Sequence, residues 1–462
     1  MAAHRTGVPA LPTDRRAALA QISAFALPVI SLPAAPLPVV SLSALPAGAA
    51  TSAAPPERVL ADWFRLILEL VRHTPTCSPP VASRALAYAG IIAFESVAGG
   101  DPALRSLAGQ VNGLAPLPPR EPGAHDPAAV LHAALSSAAR GLFHNTGPTG
   151  QQAMAAMDRI LGAAVDGGLP ADVAARSRAA GRAVAAHVLG WAASDGGAVI
   201  ENLGFPLAHD GPAGPDKWVP TSRIALQQAP LLPGWGSNRP FALPDGTACA
   251  LPPPPAYSEE AGSAFHAEAA EVHRTCRSLT GEQEAIARFW SDDAMLSPTP
   301  PGHWFAIAAQ VLDRTGADLA RRAETLALLG IAQADAFIAC WQAKYTYNLL
   351  RPVTYIRRVI DPAFQPLLTT PPFPEYPSGH STQSAAAAEV LTQMLGDTLS
   401  FTDATHEGDG LPPRSFASFR AAADEAGISR LYGGIHFRAA VEQGAAQGRC
   451  TAAQALRLRT RA

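Results

Sequence analysis

The stretch from about 318 to 347 constrains the fold most. Leu326, Leu329, Ile331, Ala334, Phe337, Ile338 and Trp341 recur along it at helical spacing without an intervening proline. It reads as one long helix, apolar enough to be enclosed by other helices. The mostly apolar run continues up to Lys344, which places a lysine in a buried setting at the helix end.

Other segments follow the same period. Leu60, Trp63, Phe64, Ile67, Leu70 and Val71 mark a helix over 57–73, and Tyr88, Ile91, Ile92 and Phe94 one over 80–97. Further helices are expected over 127–143, 151–163, 170–193, 259–289, 303–315, 381–396, 415–426 and 437–458, with 352–380 as a loop. No strand-rich region, repeat or heptad run interrupts them, so the class is all-α, built of packed helical bundles. The 44 prolines and 38 glycines fall largely in connections.

Four segments result. Residues 1–56 form an Ala/Pro-rich leader, 57–200 an N-terminal helical region, 201–258 a Pro/Gly-rich connection, and 259–462 a C-terminal helical region. In the leader, Arg15-Arg16 precede an uncharged tract ending in Ala47-Gly-Ala-Ala50. This is a loose match to a twin-arginine export signal, against a disordered tail as the alternative. With a signal the chain is exported, to the periplasm or beyond; without one it stays cytoplasmic. The leader's prolines argue against a transmembrane helix, and a net charge of -3 gives nucleic-acid binding no support. The five cysteines lack the short spacing of a zinc or redox motif, and most read as small buried hydrophobes, although disulfides are not excluded.

Chemistry concentrates in three clusters: Lys344-Tyr-Thr-Tyr-Asn-Leu-Leu-Arg351-Pro352, Pro377-Ser-Gly-His380, and Ser429-Arg430-Leu-Tyr-Gly-Gly-Ile-His436. Pooled, they offer three cations (Lys344, Arg351, Arg430), neutral donors in Ser378 and the Gly379 N–H, and two titratable rings, His380 and His436. With no carboxylate among them, the set suits a tetrahedral or trigonal-bipyramidal oxyanion and not a hard divalent cation. The bland alternative for each cluster is a solvated helix end or a capping turn.

In this order the clusters resemble the signature shared by type-2 phosphatidic acid phosphatases, bacterial acid phosphatases and vanadium-dependent haloperoxidases. Phe289-Trp-Ser-Asp292, Thr299-Pro-Pro-Gly-His-Trp304, Pro371-Pro-Phe-Pro-Glu-Tyr-Pro377 and Tyr432-Gly-Gly-Ile-His-Phe437 look like the haloperoxidase branch. The resemblance implies an all-helical core and orthovanadate as cofactor. It implies that His436 bonds the vanadium, that Lys344, Arg351, Ser378, Gly379 and Arg430 hold the oxygens, that His380 takes a proton from hydrogen peroxide, and that Lys344 helps to polarise the bound peroxide. Its partners would be hydrogen peroxide, a halide and a small organic acceptor, and a homo-oligomer is compatible with it. The alternative is a phosphomonoester phosphatase, with His436 forming a phosphohistidine and His380 protonating the leaving group.

Trp341 and Phe373 match positions that are aromatic and near vanadate in chloride-oxidising members; an ordinary core role explains them equally well. Asp292 is expected to orient Arg430, with Asp293 as competitor. Where the family has an aspartate four residues after the second histidine, this chain has Ala440. A backbone carbonyl or another carboxylate, Glu442 for instance, must then hold the His436 ring. His303 and His406 read as structural or surface residues.

Overall fold

The computed structural model describes residues 54–198, 202–222 and 229–462. Most of the leader, 1–53, therefore lies outside the described residues. Among the described residues, thirteen α-helices and one small two-stranded sheet make up the fold, which is all-α as expected.

At its centre runs α9 (Leu319–Tyr347), whose side chains are buried from Ala323 to Trp341 without a break. It packs against α2 (Pro79–Ala98), α11 (Gly379–Leu395) and α13 (Arg438–Ala455). Both α2 and α9 are long and apolar enough to cross a membrane, yet both are core helices of this bundle. Pro79 and Pro80 occupy the first turn of α2, where a missing N–H costs nothing. Around this centre lie α1 (Pro56–His73), α3 (Pro127–Leu142), α4 (Pro148–Asp166) and α5 (Ala171–Ala192).

In the described part of the connection after α5, Trp218, Trp235 and Phe241 are buried. Asp335, buried in mid-α9, accepts the backbone N–H groups of Phe241, Ala242 and Leu243 at 2.6, 2.7 and 2.9 Å. A disulfide between Cys249 and Cys450 joins the same connection to α13, whereas Cys77, Cys276 and Cys340 are free. Cys450→Ser is therefore expected to lower unfolding free energy by about 2–5 kcal/mol. Denaturant melts with and without reductant check this: reductant should destabilise the wild type and leave the variant unchanged.

The C-terminal half continues with α6 (Ala264–Arg277), α7 (Gly281–Phe289), α8 (Thr299–Arg314), α10 (Pro352–Val359) and α12 (Phe419–Tyr432). Two local expectations are corrected. The segment 259–289 is broken at Thr280, which caps α7 through a reciprocal Thr280–Gln283 box. The segment 352–380 is not all loop, because Pro352 starts α10 at a position that favours proline. Strands β1 (Phe401–Asp403) and β2 (Arg414–Phe416) pair antiparallel between α11 and α12.

Helices α11 and α13 touch at Gly448, where an added Cβ would lie 2.0 Å from the Thr382 carbonyl oxygen. The contact presses the start of α11, with Ser378 at its cap, against α13 and its Ala440 carbonyl.

Candidate functional site

Each expected pocket residue sits at or beside a helix end. Lys344 is in the last turn of α9, Arg351 caps α10, and Ser378 caps α11. Gly379 and His380 form the first turn of α11, Arg430 lies in the last turn of α12, and His436 follows in the turn to α13. Helix N-termini supply unpaired N–H groups, and Gly379 is the first residue of α11.

The side chains converge. Arg351 Nη1 donates to the Ile435 carbonyl and to His436 Nε2, at 2.9 and 3.1 Å, while its Nε bonds the Phe373 carbonyl at 2.9 Å. Its Nη2 is buried without a partner. Arg430 donates through Nη1 to the Trp290 carbonyl at 2.6 Å, and its Nε is likewise buried and unpartnered. Ser378 Oγ accepts from the Ser381 N–H and hydroxyl at 3.3 and 3.0 Å, which leaves its own proton to give. A Cβ at Gly379 would meet Trp341, Phe337 and Cys340 only at ordinary distances of 3.7–4.0 Å. Packing against the protein thus leaves room at this glycine, where a ligand can come close to the backbone.

Lys344 is placed differently. Its Nζ donates to the carbonyls of Pro374, Glu375 and Pro377, at 2.9, 3.0 and 2.5 Å, and lies 5.1 Å from the Phe373 ring centre. The ammonium braces the turn leading to Ser378 and lends the pocket its charge at close range. Burial pushes it down to about 7. Burial also lowers Arg351 and Arg430, each to about 10, so both guanidinium groups stay charged near neutrality. Phe373 packs on Trp341 at 4.9 Å between ring centres and lies 5.0 Å from the Arg351 guanidinium. Trp341 is a core residue, its indole bonded to the Leu231 carbonyl, while Phe373 is half-buried between the two cations.

Behind each histidine stands a carboxylate, which the pooled residues alone did not show. His436 Nδ1 donates to Glu375 Oε1 at 2.8 Å, and that oxygen also accepts the Phe437 N–H at 2.9 Å. Glu375, not Glu442, holds the ring; Glu442 is exposed and lies 4.0 Å from Arg438. With Nδ1 protonated and Arg351 donating to Nε2, His436 is neutral and its Nε2 lone pair belongs to the pocket. Burial, then Arg351 and Lys344, drive its pKa well below the ordinary value. Burial and Arg430 do the same for His380, whose buried Nε2 has no partner. Its nearest acid is Asp292, 4.0 Å away.

The expected Asp292–Arg430 pairing is replaced. Asp292 bonds His303 and His406, and its charge and that of Asp293 act on Arg430 only through space. Neither His303 nor His406 is at the surface; both are buried. What sequence reasoning missed was Glu375, whose only signal was its place inside the Pro-rich approach to His380.

A search of curated proteins found no match. The family model for the VCPO second helical-bundle domain matches residues 324–462. Among solved structures, the chain is similar to a bacterial vanadium-dependent iodoperoxidase, at 36% identity over 88% of this chain and 97% of that one, with a TM-score of 0.78. It shares its fold with a bacterial vanadium-dependent chloroperoxidase in the holo form (15% identity, 83% and 92% covered, TM-score 0.66). The apo form of such an enzyme gives 14%, 83%, 93% and 0.62. The chain belongs to the vanadium-dependent haloperoxidase family.

Proposed function

We propose that this protein oxidises a halide with hydrogen peroxide to hypohalous acid, which then halogenates a small organic acceptor. The carrying observation is the set of buried groups left unpartnered in the pocket, Arg351 Nη2, Arg430 Nε and His380 Nε2, around the His436 Nε2 lone pair. They fit orthovanadate: His436 Nε2 would bond the metal, and Arg351, Arg430, Ser378 and the Gly379 N–H would hold its oxygens. When bound, vanadate supplies a Lewis acid that polarises peroxide without changing oxidation state. Balanced, the reaction consumes hydrogen peroxide, halide and one proton and releases hypohalous acid and water. His380, neutral by burial, has a free Nε2 to accept the peroxide proton and return one to the departing oxygen. The resemblance to the iodoperoxidase makes iodide the first halide to test.

The deciding experiment gives the full chain orthovanadate, hydrogen peroxide and iodide, bromide or chloride. Vanadate-dependent oxidation of iodide is the expected result. Hydrolysis of an aryl phosphate with no halide oxidation would instead assign phosphohistidine chemistry to the same residues. His380→Ala is expected to lower kcat by about 10²–10⁴. Because the ring is neutral well below its ordinary midpoint of about 6.5, base-dependent turnover in the wild type should persist below that pH. We also propose an oxidising compartment for the chain, supported by the Cys249–Cys450 disulfide.

A further inference from the structure

Behind His380 lies a second group of charged residues that the reaction above does not use. His303, from α8, bridges two carboxylates: its Nδ1 is 3.0 Å from both oxygens of Asp292, and its Nε2 is 2.8 Å from Asp403 Oδ2. His406 bridges two others, with Nε2 3.1 Å from Asp292 Oδ1 and Nδ1 3.1 Å from Asp409 Oδ2. The result is a continuous chain, Asp403–His303–Asp292–His406–Asp409, ending on Arg72, which donates to Asp409 Oδ1 at 2.5 Å. Trp290 stacks on His303 with ring centres 4.6 Å apart, and Phe289 meets His406 edge-on at 5.4 Å, so neither ring is free to turn.

An imidazole with a carboxylate at each nitrogen satisfies both only by carrying both protons. Burial opposes that charge in His303, but Asp292 and Asp403 raise it to about 10. Burial opposes ionisation of Asp292 too, and His303 and His406 nevertheless hold its carboxyl well below the usual range. Asp292 also sits at φ 49°, in the left-handed region. Its Oδ2 is the acid nearest the unpartnered His380 Nε2, 4.0 Å away. The other charges acting on His380 are Arg430 from α12, which repels a protonated ring, and His303 itself; His436 lies within electrostatic reach across the pocket.

We propose that this carboxylate–imidazolium chain is a positioning device, in which His303 and His406 clamp an ionised Asp292 against His380 and so fix the orientation of its ring. His303 and His406 are positioning residues, acting through Asp292. Their effect on turnover rests on the reading of His380 given above, whereas their effect on its ring does not.

The test compares wild type with His406→Leu, His406→Gln and Asp292→Asn by NMR of ring nitrogens and by turnover. In the wild type, the His303 and His406 ring N–H signals should persist near neutral pH, and the His380 ring shifts should move in His406→Leu. His406→Gln keeps an N–H donor to Asp292 and should restore part of the wild-type pattern. Turnover should fall about tenfold or more in His406→Leu, with vanadate binding unchanged, since His406 does not face the oxyanion. Asp409→Asn, at the exposed end, makes the same comparison if His406→Leu does not fold. His380 shifts that stay unmoved in these variants overturn the proposal even in a fully active enzyme. So does a stoichiometric divalent metal in purified wild type that is lost on His406 substitution, because the cluster would then be a cation site. Moved shifts in a protein without halide oxidation would uphold the clamp and reject the peroxidase reading alone.

Discussion

His436→Ala is expected to abolish vanadate-dependent halide oxidation, with a loss beyond the roughly 10²–10³ that removal of one oxyanion donor costs. The reason is geometric. Arg351, Arg430, Ser378 and Gly379 offer protons, and of the two neutral rings His436 is the one fixed in direction, by Glu375 at Nδ1 and by Arg351 at Nε2, whose lone pair would pass from Arg351 to the metal. Alanine removes that atom and leaves the cations in place. Loose, charge-driven binding of vanadate or phosphate should survive, while tight vanadate binding and turnover should not. Equilibrium binding with vanadate and with phosphate, measured beside iodide oxidation, separates the two. A variant that binds vanadate as tightly as wild type would remove His436 from the metal.

The second large effect belongs to Glu375. Glu375→Ala takes away the acceptor for both the His436 Nδ1–H and the Phe437 N–H, two buried donors. At about 1–3 kcal/mol for each donor left unsatisfied, the fold should lose about 2–6 kcal/mol. With nothing to hold its proton on Nδ1, the imidazole can place it on Nε2 and turn from the pocket. Vanadate affinity should then fall about 10–100-fold, the usual cost of losing the partner behind a metal-bound histidine. A competing effect runs the other way, because deleting an acid from a cationic pocket favours an anion. Glu375→Gln decides between them. Its amide oxygen can accept both N–H groups without the charge, so it should recover most of the stability and much of the affinity. Tighter vanadate binding by Glu375→Ala than by wild type would mean that repulsion dominates, and the orienting role would fail. Melting temperature and vanadate titration supply the readings.

These two residues also mark where the sequence was informative. The helices were legible because apolar periodicity is local, and α9 stood out for its length. Lys344, Arg351, Ser378, Gly379, His380, Arg430 and His436 were legible as a group because each lies beside a helix end that its own neighbours specify. Glu375 was not. It is 61 residues from His436, and a carboxylate supplied from another loop leaves no spacing to recognise. Ala440 showed that a partner was missing without showing where one would come from. The same limit hid the bridging of Asp292 by His303 and His406, since Asp403 and Asp409 approach from the far end of the β1 region. The Cys249–Cys450 pairing, across 201 residues, was equally out of reach.

That disulfide has a topological consequence. Every residue assigned to the pocket, and every member of the chain behind His380 from Asp292 to Asp409, lies between Cys249 and Cys450 in sequence. The site is therefore enclosed in a single covalent ring, from which only Arg72, at its outer edge, is excluded. One cut in any loop of that ring opens it to a line without releasing a fragment, and only a second cut, or reduction of the disulfide, lets a piece of the site diffuse away.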